Sequence, residues 1–191
     1  MPLILGIDPG KSGGLALLVT GTDAPPGWLR SLPPLSPRKS TDGQRVFLWK
    51  MPSSIQQIWV ILGYLGEHHR KLGGVRVGLE QVGGYVHRKG ESEEQAGHRQ
   101  PGSAMFRFGQ NYGSLEMALC AAGLPFRYVL PHAWQSQLGV ESKRKNESKP
   151  QFKRRLHAKA KCLYPTVMST LKTCDALLIA EATRRLHGVA W

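Results

Sequence analysis

A chain of 191 residues is long enough for one domain with a substantial core and short for two independent ones. Hydrophobic residues make up 41%, which excludes a mostly disordered protein. The formal net charge of +13 makes a polyanion the expected partner, because neutralising phosphates releases counterions; no spanning apolar run or basic amphipathic anchor argues for a membrane. Cys120, Cys162 and Cys174 are scattered and odd in number. That argues against a disulfide framework and a zinc cluster. It suits a reducing, intracellular compartment, either a bacterial or phage-infected cytoplasm or an organelle. The chain opens on a strand, and no targeting leader is visible.

Residues 2–8 and 14–20 are apolar runs separated by Pro9-Gly10-Lys11-Ser12-Gly13, which predicts two strands and a tight turn. Five prolines between 25 and 37 predict a surface loop without regular structure over 21–44. A third strand follows at 45–49. Pro52-Ser53-Ser54 then opens a helix with Ile55, Ile58, Trp59, Leu62 and Leu65 on one face. Val75 to Glu80 reads as a strand, and the Gly-, His- and charge-rich stretch 83–102 as a loop. Residues 103–122 read as a helix. Gly109 and Gly113 weaken it by up to about 1 kcal/mol each, so a close approach to its backbone is expected there. A short strand at 126–129, a helical turn at 131–138, a helix from Ser148 and a last helix at about 171–186 complete a mixed α/β pattern.

Asp8 and Glu80 each end a predicted strand just before a turn. If those strands are neighbours in one sheet, their carboxylates converge. Paired carboxylates without Cys or His ligands suit hard Mg²⁺ or Mn²⁺, which can promote phosphodiester hydrolysis. An Asp before Pro-Gly is also an ordinary turn former. Asp175 is one acid in the small, apolar segment Cys174 to Ala180. It needs a compensating partner, such as a shared cation, or else serves as a first-turn acid favoured by the helix dipole.

Taken in order, these segments resemble the RuvC family of Holliday junction resolvases. The stretch LGIDPGKSGG is similar to that family's first motif, VGLEQV to its second and CDALLIAEA to its C-terminal helix. The segment from Ser103 to Gly139 also resembles the family, particularly phage RuvC-like enzymes and plant chloroplast resolvases. The resemblance implies an RNase H-like fold with a mixed five-stranded sheet flanked by helices, one nuclease domain over 1–191. It implies Asp8, Glu80 and Asp175 as catalytic, metal-binding acids using Mg²⁺ or Mn²⁺. It further implies a homodimer that makes paired symmetric nicks in a four-way junction, in DNA recombination and repair. One departure stands out. Where such enzymes carry an acid or His three residues before the last acid, this chain has Lys172. Placed one helical turn from Asp175, Lys172 would point at the metals and supply charge or orient water. The alternatives are a weakened second metal site or a shifted register.

DNA contacts are expected from two regions. Between Lys143 and Lys161 nine basic residues, including Arg144, Lys145, Lys149 and Lys153, face a single acid, Glu147. Phe152, Leu156, Ala160 and Leu163 form the apolar face of that helix, leaving the charges outward for phosphate contact or merely for solvent. The loop after Glu80 carries Tyr85, Arg88 and Lys89, suited to base stacking and phosphate clamping, although simple register puts Gly83 at the aromatic's place. Phe106, Arg107 and Gln110, early in the glycine-containing helix, face DNA or a partner subunit. Three rivals remain: an actin/hexokinase-like fold, which needs a longer chain, a junction binder with a decayed site, and a flap or single-strand nuclease.

Overall fold

The computed structural model describes residues 2–20, 27, 38–39, 45–82 and 102–186. Its strands are β1 (Leu3–Asp8), β2 (Gly14–Val19), β3 (Arg38–Lys39), β4 (Arg45–Lys50), β5 (Val75–Glu80) and β6 (Phe126–Val129). Its helices are α1 (Ile55–Leu72), α2 (Gly102–Ala121), α3 (Pro131–Gln137), α4 (Lys149–Leu163) and α5 (Cys174–Arg185).

The strands form one mixed sheet in the order β3-β4-β2-β1-β5-β6. On one side of β1, β2 and β4 follow as antiparallel neighbours; on the other, β5 and β6 run parallel. Five of the strands match the expected set. The sixth, β3, corrects the reading of 21–44 as free of regular structure: Arg38 and Lys39 pair with Val46 and Arg45 at the sheet edge. They follow Pro37, and a two-residue edge strand needs no proline N–H.

Period-2 alternation splits the core into two layers. Leu3, Leu5 and Ile7 of β1, with Val75, Val77 and Leu79 of β5, pack on α1 and α2. Ile4 points the other way, into a cluster built from α3, α4 and α5. Local signals start the helices. Ser54 caps α1 by accepting from the Gln57 N–H at 3.2 Å, and Ser148 and Gln151 form a capping box on α4. Leu156 and Ala160 are buried, with Phe152 and Leu163 packed against the same cluster, as the spacing predicts.

A Cβ at Gly109 or Gly113 would meet nothing within 4 Å among the described residues, so the expected close approach is not made within the chain, and DNA or a partner subunit stays its expected source. One expectation fails here. The last helix starts at Cys174 rather than near residue 171, because Leu171 to Thr173 form a turn whose Thr173 and Cys174 N–H groups bond back to the Thr170 carbonyl.

Candidate functional site

Two glycines set the site. The β1–β5 register pairs Gly6 with Gly78 and Ile7 with Leu79, so Asp8 and Glu80 end adjacent parallel strands. By alternation Gly6 and Asp8 share the sheet face that packs on α5, as do Gly78 and Glu80. A side chain at Gly6 would run into the Ala176 carbonyl, the Ala180 amide and the Ala180 Cα (2.8 Å). One at Gly78 would run into Thr183. The missing side chains let α5 lie on the sheet, and its first turn carries Asp175 to the strand ends that hold Asp8 and Glu80.

The three acids share one electrostatic neighbourhood. Burial, and then the charge of Asp175, pushes the Asp8 carboxyl up to about 6, against Lys153 and the Gly10 N–H, which donates to Oδ1 at 3.2 Å. Burial, followed by Asp8, pushes Glu80 up to about 7; Asp175 adds to this, while the Trp134 hydrogen bond and Lys153 oppose it. Both shifts reflect carboxylates held near one another away from water. Trp134, on α3, donates its indole Nε1–H to Glu80 Oε1 at 3.0 Å. The Tyr112 hydroxyl donates to the Glu80 main-chain carbonyl at 3.4 Å.

The cation against Asp175 is Lys153 of α4, which forms an ion pair with Oδ2; the two side chains are 31% and 14% exposed. Burial, the largest influence on Lys153, disfavours its charge. Asp175 and, more weakly, Cys174 and Asp8 outweigh it and hold the ammonium above the usual lysine range. Cys174 points its thiol at Asp175 Oδ1, 3.3 Å away, and burial together with that carboxylate pushes the thiol up to about 12.

Lys153 was expected to contact DNA from the outer face of its helix; the structure instead turns it inward to the acids. Lys172 was expected beside them. It is exposed in the turn before α5, its N–H bonded to Thr170 Oγ1 at 3.3 Å. Since residue 172 lies outside the helix, the one-turn argument that aimed it at Asp175 does not apply. Lys143, Arg144, Lys145 and Lys149 are exposed. Lys143 donates to the Glu147 carbonyl, and Arg144 pairs with Glu141 at 3.0 Å. Arg155 braces this loop through Glu147 and the Glu141 and Ser142 carbonyls, which makes it structural. Arg107 and Gln110 line a groove of about 750 Å³ between α1 and α2 that none of the three acids borders. Tyr85, Arg88 and Lys89 lie outside the described residues.

Sequence reasoning missed Trp134 and the inward role of Lys153. A signal for the site did exist in Gly6-Ile7-Asp8 and Gly78-Leu79-Glu80: the same glycine two residues before each acid marks where a helix can approach the sheet.

The donor set suits a hard divalent cation: every candidate ligand is a carboxylate, and the fields of Asp8, Glu80 and Asp175 overlap. No three His, Cys, Asp or Glu side chains close into a ready-made ligand cluster among the described residues. No described helix is long and apolar enough to cross a membrane.

No protein-family model matches the sequence, and no curated protein matches it. The structure is similar to that of RuvC from Thermus thermophilus, with 15% identity over 97% of this chain and 95% of that one, and a TM-score of 0.50. T. thermophilus RuvC in complex with a Holliday junction substrate aligns at 14% identity, over 100% of this chain and 97% of that one, with a TM-score of 0.49. At such identities the likeness establishes the fold, the mixed RNase H-like sheet with flanking helices expected from the motifs.

Proposed function

We propose that this protein is a metal-dependent DNA endonuclease that resolves four-way junctions. The observation that carries the reading is the convergence of Asp8, Glu80 and Asp175 on one face of a RuvC-like sheet, with Asp8 and Glu80 pushed up to about 6 and about 7. Strongly perturbed acids that share a site are the mark of groups arranged for charge chemistry.

In this reading the three carboxylates hold Mg²⁺ or Mn²⁺. Such an ion supplies Lewis-acid activation of water and stabilises the leaving oxygen. The chain's residues do the rest. Asp8 and Glu80 are fixed by neighbouring strand ends and Asp175 by the first turn of α5. Trp134 orients the Glu80 carboxylate. Lys153 holds a positive charge against Asp175, which limits repulsion among the acids and favours approach of a phosphate. Exposed Lys143, Arg144, Lys145 and Lys149 continue the positive surface along which the DNA backbone would lie. Hydrolysis would leave a 5′-phosphate and a 3′-hydroxyl. Paired nicks call for two sites, hence a homodimer facing a two-fold junction. The unpaired thiols suit action in a reducing cell interior, in recombination and repair.

A second reading has one observation in its favour: with Lys153 paired to Asp175 and no closed ligand cluster among the described residues, the protein would bind junctions without cutting them. One experiment separates the two. Purified protein is incubated with an end-labelled four-way junction, with flap and single-stranded competitors, in Mg²⁺ or Mn²⁺. Symmetric incision that is lost in Asp8→Asn supports the resolvase. Binding without incision in either metal supports the binder, and preferential flap cleavage transfers the activity to a different branched substrate.

A further inference from the structure

The sheet edge that carries the acids also carries a groove. Asp8 pairs with Gly14 and Gly14 with Lys50, so the end of β4 lies two strands from Asp8 at the same end of the sheet. At about 4.8 Å per strand the separation is about 10 Å. A groove of about 530 Å³ opens there, between the end of β4, the segment leading into α1 and the segment leading into α5. Thr173 lines it and stands two residues before Asp175, so one turn of chain borders both the groove and the acids. Ligand sites span about 300–1,000 Å³, and this one falls inside that range.

Its lining matches the parts of a nucleotide. Met51, Pro52 and the exposed Met168 present apolar surface, and such side chains pack against bases that leave the stack. Ser53 and Gln57 add a hydroxyl and an amide, which both donate and accept as a base edge requires. Lys50 lines the groove and is exposed, and its ammonium makes no ion pair among the described residues. No carboxylate is among the described lining residues, so a phosphate meets only attraction there.

We propose that this groove receives an unstacked nucleobase of the strand whose phosphate lies at the acids. The proposal rests on the nucleic-acid reading above and deepens it by giving one base a place. A span of about 10 Å equals about three steps of stacked DNA at about 3.4 Å each, and fewer of an unstacked strand, so the base belongs within about three nucleotides of the scissile phosphate. Holding it fixes the strand's register over the acids. It also favours branched DNA, because a base outside a continuous duplex costs least to unstack.

The test is photo-crosslinking of the full-length protein to four-way junctions in EDTA, where no cleavage competes. Each junction carries a single 4-thiothymine, moved through the positions within about three nucleotides of the crossover. Mass spectrometry identifies the crosslinked peptides. At one position the crosslink falls on residues 50–57 or 167–173. In Gln57→Trp, which fills the groove from an exposed helix position, that crosslink falls about fivefold or more at saturating protein, the lower end of what one lost base contact costs. Melting curves verify that the variant is folded; Met168→Trp, at a residue 68% exposed, fills the groove from its other wall if it is not. Crosslinks confined to other parts of a junction-bound protein overturn the groove and leave the junction reading standing. A groove crosslink unchanged in a folded, filled variant overturns it as well. A protein that binds no four-way junction sinks the nucleic-acid reading, and the base site with it.

Discussion

Replacing Gly6 with alanine adds one methyl group where α5 crosses β1. The new Cβ would stand 2.8 Å from the Ala180 Cα and closer still to the Ala176 carbonyl and Ala180 amide. Carbon atoms pack at about 3.5–4.0 Å, so α5 must withdraw by about 1 Å. Overpacking of this kind costs about 1–3 kcal/mol. For a chain of this size that lowers the melting temperature by about 2–12 °C. Asp175 moves with α5, away from Asp8 and Glu80. A misplacement of about 1 Å can cost about a hundredfold in rate, so cleavage should suffer more than folding does. Gly109→Ala is the control. Its Cβ would meet nothing within 4 Å among the described residues, and alanine favours helix over glycine by up to about 1 kcal/mol. Urea unfolding of both variants, with single-turnover cleavage of a four-way junction, reads both effects. A Gly6→Ala protein as stable as the wild type, or both variants shifting in the same direction, would refute the packing argument.

Further outcomes follow from the charges. The folded chain holds protons on Asp8 and Glu80 that the unfolded chain releases, so their contribution to stability is present below about pH 4 and is lost as pH rises through about 6 and 7. In metal-free buffer Glu80→Gln should therefore melt with the wild type near pH 4 and above it at pH 8, measured by circular dichroism. Saturating Mn²⁺ should stabilise the wild type, by about 2.7 kcal/mol at a hundred times its Kd, and Asp175→Asn should lose most of that gain in the same melts. Lys153→Ala should slow junction cleavage at least tenfold, while Lys172→Ala, altered in an exposed turn, should stay within about twofold. Lys145→Ala or Lys149→Ala should each lower the slope of log affinity against log salt by about 0.9, read by fluorescence anisotropy on labelled duplex.

Much of the architecture was legible along the chain because it depends on neighbours in sequence. The apolar run through Leu3 to Ile7 and the segment Val75 to Leu79 marked two strands, Ser54 and Ser148 marked two helix starts, and an acid at each strand end suggested the site. The failures came where local rules met tertiary facts. Arg38 and Lys39 form an edge strand because β4 is there to pair with. Gly109 and Gly113 have no neighbour among the described residues, so any close approach there comes from outside the chain, which the sequence could not name. Lys172 dropped out of the site because the helix began at Cys174, and a shift of two or three residues at a helix end turns a facing side chain into an exposed one.

The sequence by itself determined which carboxylates end their strands and that the chain is strongly basic, since both are properties of composition and short-range pattern. Only the tertiary structure decided which other groups meet them. Lys153 and Trp134 lie on separate helices, 22 residues from Asp175 and 54 from Glu80. Their spacing in sequence says nothing about meeting. Both reach the acids because Gly6 and Gly78, opposite one another in the sheet, let α5 settle on that face, and α3 and α4 pack in the same layer.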